Sequence, residues 1–468
     1  MKKASRINNI KWCLDDNGLI GLLDGLLVQE EARRGYFTCD YKGKGIFGKF
    51  FKEKGNIGLI RNRVSPRGKK EYLAGKKLLA LSIMTPQPLG YGISDKGSYI
   101  IQERIEGDTF VNVFLESKDR PGLLLKLADL LKTLKIEKVV HNDLHLNNII
   151  VHKESLYLID LHKMQFKRHV SMKDEVSSLS HAITMLYGDM TSDEKTLFFS
   201  RYGERDIRAS VEKEIVRLWG RWIRKKKKRA FESTSKLVVN GDCIYMTGAE
   251  DLVCSDPVQL IKKDKKIVVE RHNDHIRKYY RNRRRLRQAW ENHVALKYLD
   301  LYVTPEPYCT KSPSLFSWGY VAMEDLTVSG IEFDRYLDKA YDHMSKGEKT
   351  MFIEGFSRFL ALLFKKKIAH RDLKGCNIFV LNDGRFLLLD VEDIIFTVMD
   401  EERLTKMLVQ LNTTIPKRIS MNDRMRLYMG ATKEINVDRK QVFKDIQKRS
   451  LESDIVYEGV SGLRHESW

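Results

Sequence analysis

The sequence predicts an α+β fold built twice: two tandem bilobal domains, each a small mixed β-sheet lobe followed by a helical lobe. Three observations lead there. The pattern His-x-Asp, four residues, Asn-Ile occurs at "HNDLHLNNI" (141–149) and again at "HRDLKGCNI" (370–378), so that Asp143 matches Asp372 and Asn148 matches Asn377 at one shared offset of 229. Each copy runs into an apolar stretch closed by a second Asp, "SLYLID" to Asp160 and "RFLLLD" to Asp390. Upstream, "LLALSIMTPQPLGYG" (78–92) is echoed by "YLDLYVTPEPYC" (298–309). Shifts close to half of a 468-residue chain point to a tandem duplication.

The elements follow the same order in each half. In the first, β-like "GIFGKFF" (45–51) precedes the helical "KKEYLAGKKLLAL" (69–81) and then the strand "SYIIQERIEG" (98–107). A helix over 123–135 comes next, because Leu124, Leu127, Leu131 and Leu134 recur at helical spacing and so form a core stripe. The motif loop and a hairpin close the set. The second half offers "FSWGYVAMEDL" (316–326), the long helix "MFIEGFSRFLALLFKKK" (351–367) and a hairpin whose "NDG" turn sits at 382–384. Sheet first and helices afterwards is the signature of an α+β unit. The run "RKKKKR" with the small polar residues after it reads as a basic linker over 224–236, which sets the first domain at 1–223 and the second at 237–468.

Composition narrows the function classes. Hydrophobic content of 42% and charged content of 31% suit a water-soluble globular protein. The longest apolar stretch near the start, "GLIGLLDGLLV" (18–28), is too short to span a bilayer and carries Asp24, which also argues against a signal peptide. A cytoplasmic protein is therefore expected. Six cysteines without a C-x-x-C pair suggest free thiols rather than zinc ligands or disulfides. The net charge of +20 calls for a polyanionic partner.

Phosphoryl transfer explains why Asp, Asn and Asp recur at this spacing. The reaction asks the protein for little covalent chemistry, but a hydroxyl must be held against the γ-phosphate of ATP and the charge on its oxygens neutralised by Mg²⁺. One Asp orients or deprotonates the hydroxyl, an Asn gives the metal a neutral oxygen, and a second Asp completes the ligand set. The catalytic acids are then Asp143 and Asp372, and the metal ligands Asn148 and Asp160 in the first unit and Asn377 and Asp390 in the second. His141 and His370 brace the loops.

These motifs resemble those of the protein-kinase-like superfamily, and more narrowly the lipopolysaccharide core sugar kinases of the Kdo/WaaP family. The stretch 69–92 looks like that family's helix carrying a Glu and its Thr-Pro-x-Pro entry into the next strand, and no Ala-Pro-Glu or activation segment follows Asp160. The resemblance implies a protein-kinase-like fold and a strand Lys that contacts the α and β phosphates while pairing with the helix Glu. Lys49 and Glu71 match those roles in the first unit, with Lys52 as second choice; Lys262 in "DPVQLIKKDKKIVV" and Glu291 in "RQAWENH" match them in the second. Lys374, two residues after its Asp, resembles the protein-kinase pattern and would shield γ-phosphate charge. The first unit has His145 there and Asn142 where the second has Arg371, and neither half carries G-x-G-x-x-G.

The resemblance further implies ATP and Mg²⁺ as cofactors and a heptose or Kdo hydroxyl of the lipopolysaccharide inner core as acceptor, with a protein Ser/Thr kinase or a pseudokinase binding module as rivals. The basic blocks at 224–229 and 271–287 are then expected to meet an anionic membrane face. Tyr279 and Tyr280 among those bases would also suit nucleic acid, but no recognition motif supports it.

Overall fold

The computed structural model of the chain describes residues 4–7, 9–23, 34–53, 55–141, 143–203, 206–251, 255–315, 317–435 and 437–468. Contacts divide it into two compact units, Met1–Leu218 and Trp219–Trp468.

The first unit opens with a six-stranded antiparallel sheet, in the order Ala4–Ile7, Ile10–Leu14, Pro88–Ile93, Gly97–Glu103, Lys44–Lys52, Arg34–Tyr41. The Lys44–Lys52 strand is held on both flanks, and Lys49 sits between Tyr36 and Ile100. The helix Arg67–Ala80 covers this sheet and buries Glu71, Tyr72, Ala74 and Leu78. Below lies the helical lobe. Its first long helix, Arg120–Ile136, is capped by Asp119 and started by Pro121, and buries Leu124, Leu127, Leu131 and Leu134 as the periodicity requires. Leu127 is fully buried, so Leu127→Ala would cost about 2–5 kcal/mol. Two further helices, Met172–Ile183 and Ser192–Tyr202, each start at a capping box, Ser171 with Asp174 and Thr191 with Glu194.

The second unit repeats the order with more sheet. Seven strands run Leu237–Asn240, Cys243–Met246, Pro307–Lys311, Gly319–Glu324, His275–Tyr280, Ile267–Arg271, Gln259–Lys263. The helix Arg283–Tyr298 follows the His275–Tyr280 strand as Arg67–Ala80 follows Lys44–Lys52. The long helix is Lys346–Lys365, and its Phe356 packs on Phe333 with ring centroids 4.3 Å apart. The strand expected from 316 begins at Gly319, and Phe316 lies outside the described residues.

One expectation changes. Residues 224–228 are not linker but the last turn of a helix, Ile207–Lys228, and the contact boundary falls inside that helix. Lysine and arginine are good helix formers, and their stems have somewhere to lie: Lys226 Nζ sits 3.8 Å from the Tyr298 ring centre and Lys227 Nζ donates to Asn292 Oδ1 at 2.6 Å. The helix Met172–Ile183 ends with Thr184 as its C-cap. Among the described cysteines, 13, 39, 243, 309 and 376 are free thiols; Cys254 lies outside the described residues, as does Asn142. No described helix is long and apolar enough to cross a membrane.

Candidate active sites

In each unit a hairpin ties the Asn to the second Asp. In the first, Ile149–His152 pairs with Ser155–Leu158, and the amide of Ile159 donates to the carbonyl of Asn148 at 2.9 Å. In the second, Ile378–Leu381 pairs with Phe386–Leu388, Gly384 takes the positive φ of 84° that its turn requires, and Leu389 donates to the carbonyl of Asn377 at 2.8 Å. The chain then bends sharply. Asp160 and Asp390 adopt left-handed φ of 61° and 47°, an unfavourable conformation for a residue with a Cβ, at the same point of both units.

In the first unit that bend presents Asp160 Oδ1 to Lys49 Nζ at 2.6 Å, while Glu71 Oε2 lies 3.9 Å from the same ammonium. All of Lys49 but a tenth is buried, so its charge needs these acids. Burial pushes the Glu71 carboxyl up to about 7, against the pull of Lys49. Burial acts on Asp160 in the same sense, but hydrogen bonds from His162 and Lys49 outweigh it and hold that carboxyl well below the usual range. His162 Nδ1 stands 2.7 Å from Asp160 Oδ1 and 3.8 Å from Glu71 Oε2. Glu71, Asp160 and His162 are close enough together to hold a metal ion, but the lysine ammonium already lies among them, so we read the two carboxylates as its counter-ions, with His162 bonded to Asp160.

Asp143 is the other acid. Its carboxylate pairs with Lys163, three residues past Asp160, and burial is outweighed by that lysine so that its carboxyl lies below the usual range. Its amide donates to His141 Nδ1 at 3.1 Å, and Asn148 Nδ2 donates to its carbonyl at 3.0 Å. Burial drives the His141 pKa down to about 4, which keeps the ring neutral and able to accept that bond. With the Asn148 nitrogen engaged, its Oδ1 is the atom left for a hard cation.

The second unit builds the same contacts. Asn377 Nδ2 donates to the carbonyl of Asp372 at 2.8 Å, and the amide of Asp372 donates to His370 Nδ1 at 3.3 Å. Lys374 Nζ lies 2.9 Å from Asp372 Oδ1. The lysine against Asp390, however, is Lys278, whose Nζ is 2.6 Å from Asp390 Oδ1 and 3.0 Å from Glu392 Oε1. Tyr280 adds a hydrogen bond to Glu392 at 3.0 Å. Burial would lower the Lys278 pKa, but Glu392 and Asp390 together raise it.

Two sequence expectations for the second unit are thereby overturned. Lys262 is not the strand lysine that meets Asp390; it lies on the edge strand Gln259–Lys263, 63% exposed, with Asp264 at 3.9 Å. It occupies the same cross-strand row as Lys278, through Val269, but two strands further out. Glu291 is not the acid behind the strand lysine either, because its carboxylate pairs with Arg287 at 2.7 Å. Each helix is followed by a left-handed residue, Ser82 or Asp300, and the position that stands to Asp300 as Glu71 stands to Ser82 is Ala289. The acid has moved to Glu392, two residues after the metal-type Asp, where the first unit has His162. Lys278 went unrecognised because it lies inside the basic run "RHNDHIRKYYRNRRRLR". Its strand could have been singled out, since Ile276, Lys278 and Tyr280 alternate with Arg277 and Tyr279 ahead of a helix, as the residues around Lys49 do.

That run is partly engaged within the fold, while Arg281, Arg283 and Arg284 are exposed. Arg271 pairs with Asp325 at 2.6 Å, Arg285 with Asp393 at 3.0 Å and Arg287 with Glu291, and Lys278 is buried.

Residues 25–197 match the model of the lipopolysaccharide kinase (Kdo/WaaP) family. No curated protein sequence matches the chain. Among solved structures, one described as "WaaP in complex with acyl carrier protein" is 17% identical, covering 46% of this chain and 98% of its own, at a TM-score of 0.35. An aminoglycoside-3'-phosphotransferase of type VIII is 13% identical, covering 44% and 92%, at 0.29. At those scores neither neighbour bears on what the chain does.

Proposed function

We propose that this chain, which belongs through residues 25–197 to the lipopolysaccharide kinase (Kdo/WaaP) family and is thus a phosphotransferase, moves the γ-phosphate of ATP to a sugar hydroxyl of the lipopolysaccharide inner core, heptose or Kdo. Both units act, each at its own site. The observation that carries this reading is the buried lysine clamped against the left-handed Asp in each unit, Lys49 on Asp160 and Lys278 on Asp390.

Asp143 and Asp372 accept the acceptor hydroxyl's proton as the oxygen attacks the γ-phosphorus and the bond to the bridging oxygen of ADP breaks. Lys163 and Lys374 hold those carboxylates in place, and both are exposed enough to follow the transferred phosphoryl group. Lys49 and Lys278 hold the α and β phosphates, each ammonium aimed by its acids. Asn148 with Asp160, and Asn377 with Asp390, fit Mg²⁺, since carboxylate and amide oxygens are the hard ligands it takes. Bound there, the ion would neutralise charge on the phosphate oxygens. A cytoplasmic enzyme working against the anionic inner face of the membrane would meet this acceptor as the core is assembled.

The test is mass spectrometry of purified core oligosaccharide after incubation with ATP and the full chain. Two added phosphates are expected, with Asp143→Asn and Asp372→Asn each slowing one transfer by about 10²–10⁴-fold. Phosphate appearing on protein but never on the oligosaccharide, or nucleotide binding without any transfer, would overturn the assignment.

A further inference from the structure

Between the lysine strand and the helix that follows it, the units differ. In the second, the strand ends at Tyr280 and the helix starts at Arg283. In the first, the strand ends at Lys52 and the helix starts at Arg67, and the added chain contains a helix of its own, Gly55–Val64. The second unit closes its sheet onto its helix without any such insert. The extra helix is therefore an addition to the arrangement that the two units share.

Its sidedness is inverted. Gly58 and Asn62 face inward, and Asn62 Nδ2 donates to the carbonyls of Ser94 at 2.9 Å and Gly97 at 3.1 Å. Ile57, Ile60 and Val64 face out, at 85%, 61% and 81% exposure. At about 100° per residue these three fall within an arc of roughly 60°, opposite Asn62, with Arg61 and Arg63 flanking them on either side. An ordinary surface helix turns its aliphatic stripe to the core and its polar residues to water. This one does the reverse.

The charge around the stripe has one sign. No Asp or Glu occurs from 54 to 70, whereas Arg61, Arg63, Lys69 and Lys70 are exposed. Arg61 reaches back to Glu53, whose carboxylate also takes Arg67 at 3.1 Å, so that this acid is already satisfied and buried.

We propose that Gly55–Val64 is a membrane-docking helix that seats Ile57, Ile60 and Val64 at the headgroup boundary of an anionic bilayer, with Arg61, Arg63, Lys69 and Lys70 at the level of the lipid phosphates. An apolar stripe between cations is the pattern that lies in such an interface, and a convex single helix offers no groove for a peptide. The surface is distinct from both basic blocks weighed on sequence grounds. It stands independently of the phosphotransfer reading.

The full chain is sedimented with phosphatidylcholine vesicles, with and without phosphatidylglycerol. Binding is expected only with the anionic lipid. The variant Ile57→Ser/Ile60→Ser/Val64→Ser should weaken it by about tenfold or more, and Arg63→Glu/Lys69→Glu by a similar factor, with circular-dichroism melts unchanged because these side chains face solvent. If the triple variant fails to fold, the charge-reversal pair decides. Wild-type protein that ignores phosphatidylglycerol vesicles, or folded variants that bind as tightly as wild type, would overturn the assignment, as would capture of a soluble acidic protein through these residues with no vesicle binding. Transfer to a soluble oligosaccharide does not need this helix, so its failure would speak only against the phosphotransfer reading.

Discussion

In the first unit the carboxylate behind the strand lysine comes from a helix, Glu71; in the second it comes from the bend after the metal-type Asp, as Glu392. The cation on the Asp of the His-x-Asp loop is exchanged in the opposite direction. Lys163, past the bend, serves Asp143, whereas Lys374, in the loop itself, serves Asp372. A buried ammonium without a partner is expensive, so each unit must place two acids around its lysine. Which backbone position supplies them is free, provided the carboxylate arrives within about 4 Å of the nitrogen. The two units are two solutions of one charge problem, and what they share is an arrangement in space.

The sharpest way to break that comparison is to remove the lysines. Lys278→Met should reduce transfer by the second unit by roughly 10²-fold or more, as Lys49→Met should in the first, while Lys262→Met leaves the buried pair untouched and transfer within a factor of a few. Loss with Lys262→Met and not with Lys278→Met, read as phosphate on the acceptor with the other unit silenced, would reverse the assignment. Next come the acids. Glu392→Ala leaves the buried Lys278 with Asp390 as its one remaining acid and should destabilise the second unit by about 1–3 kcal/mol, whereas Glu291→Ala, whose partner Arg287 is largely exposed, should change little. Tryptophan fluorescence during denaturant unfolding checks this, because five of the six tryptophans belong to the second unit and only Trp12 to the first.

The cations on Asp143 and Asp372 are partly exposed, so Lys163→Ala and Lys374→Ala should each cost only about tenfold in transfer by their own unit. The smallest effect is a pH dependence. Glu71 is raised from 4.5 to about 7, so the folded state binds the extra proton between those values and the stability that this proton contributes is lost as pH rises through about 7. Over the same range Glu71 becomes the full counter-charge of Lys49, and nucleotide affinity of the first unit should climb. Glu71→Gln should flatten both trends, seen in thermal melts and nucleotide titrations between pH 5 and 8.

Much of this was legible in the chain. The doubled His-x-Asp pattern located both loops, both hairpins and both metal-type acids, because those residues are bound to one another through neighbouring backbone: Asn148 to Asp143, Ile159 to Asn148. Lys49 and Glu71 were reachable through the family resemblance of "FGKFF" and of the helix that leads into Thr85, whose Oγ1 donates to the carbonyl of Leu158. In the second unit the same reasoning failed at the lysine and its acid. Glu392 and Lys278 are 114 residues apart and meet only through the tertiary fold, and a local pattern borrowed from the first unit pointed to Glu291 and Lys262. Part of the basic run at 271–287 is engaged within the fold, with its partners Asp325 and Asp393 lying far along the chain.

Nucleotide titration of the full chain, with Lys49→Met silencing the first unit, puts the interchange of acids to its most direct trial. Glu392→His should weaken binding by about tenfold or more, and adding Ala289→Glu, which writes the first unit's arrangement into the second, should restore most of it. Recovery with the double variant is the expected result; a double variant that binds no better than Glu392→His, or a Glu392→His that binds like its parent, would contradict it.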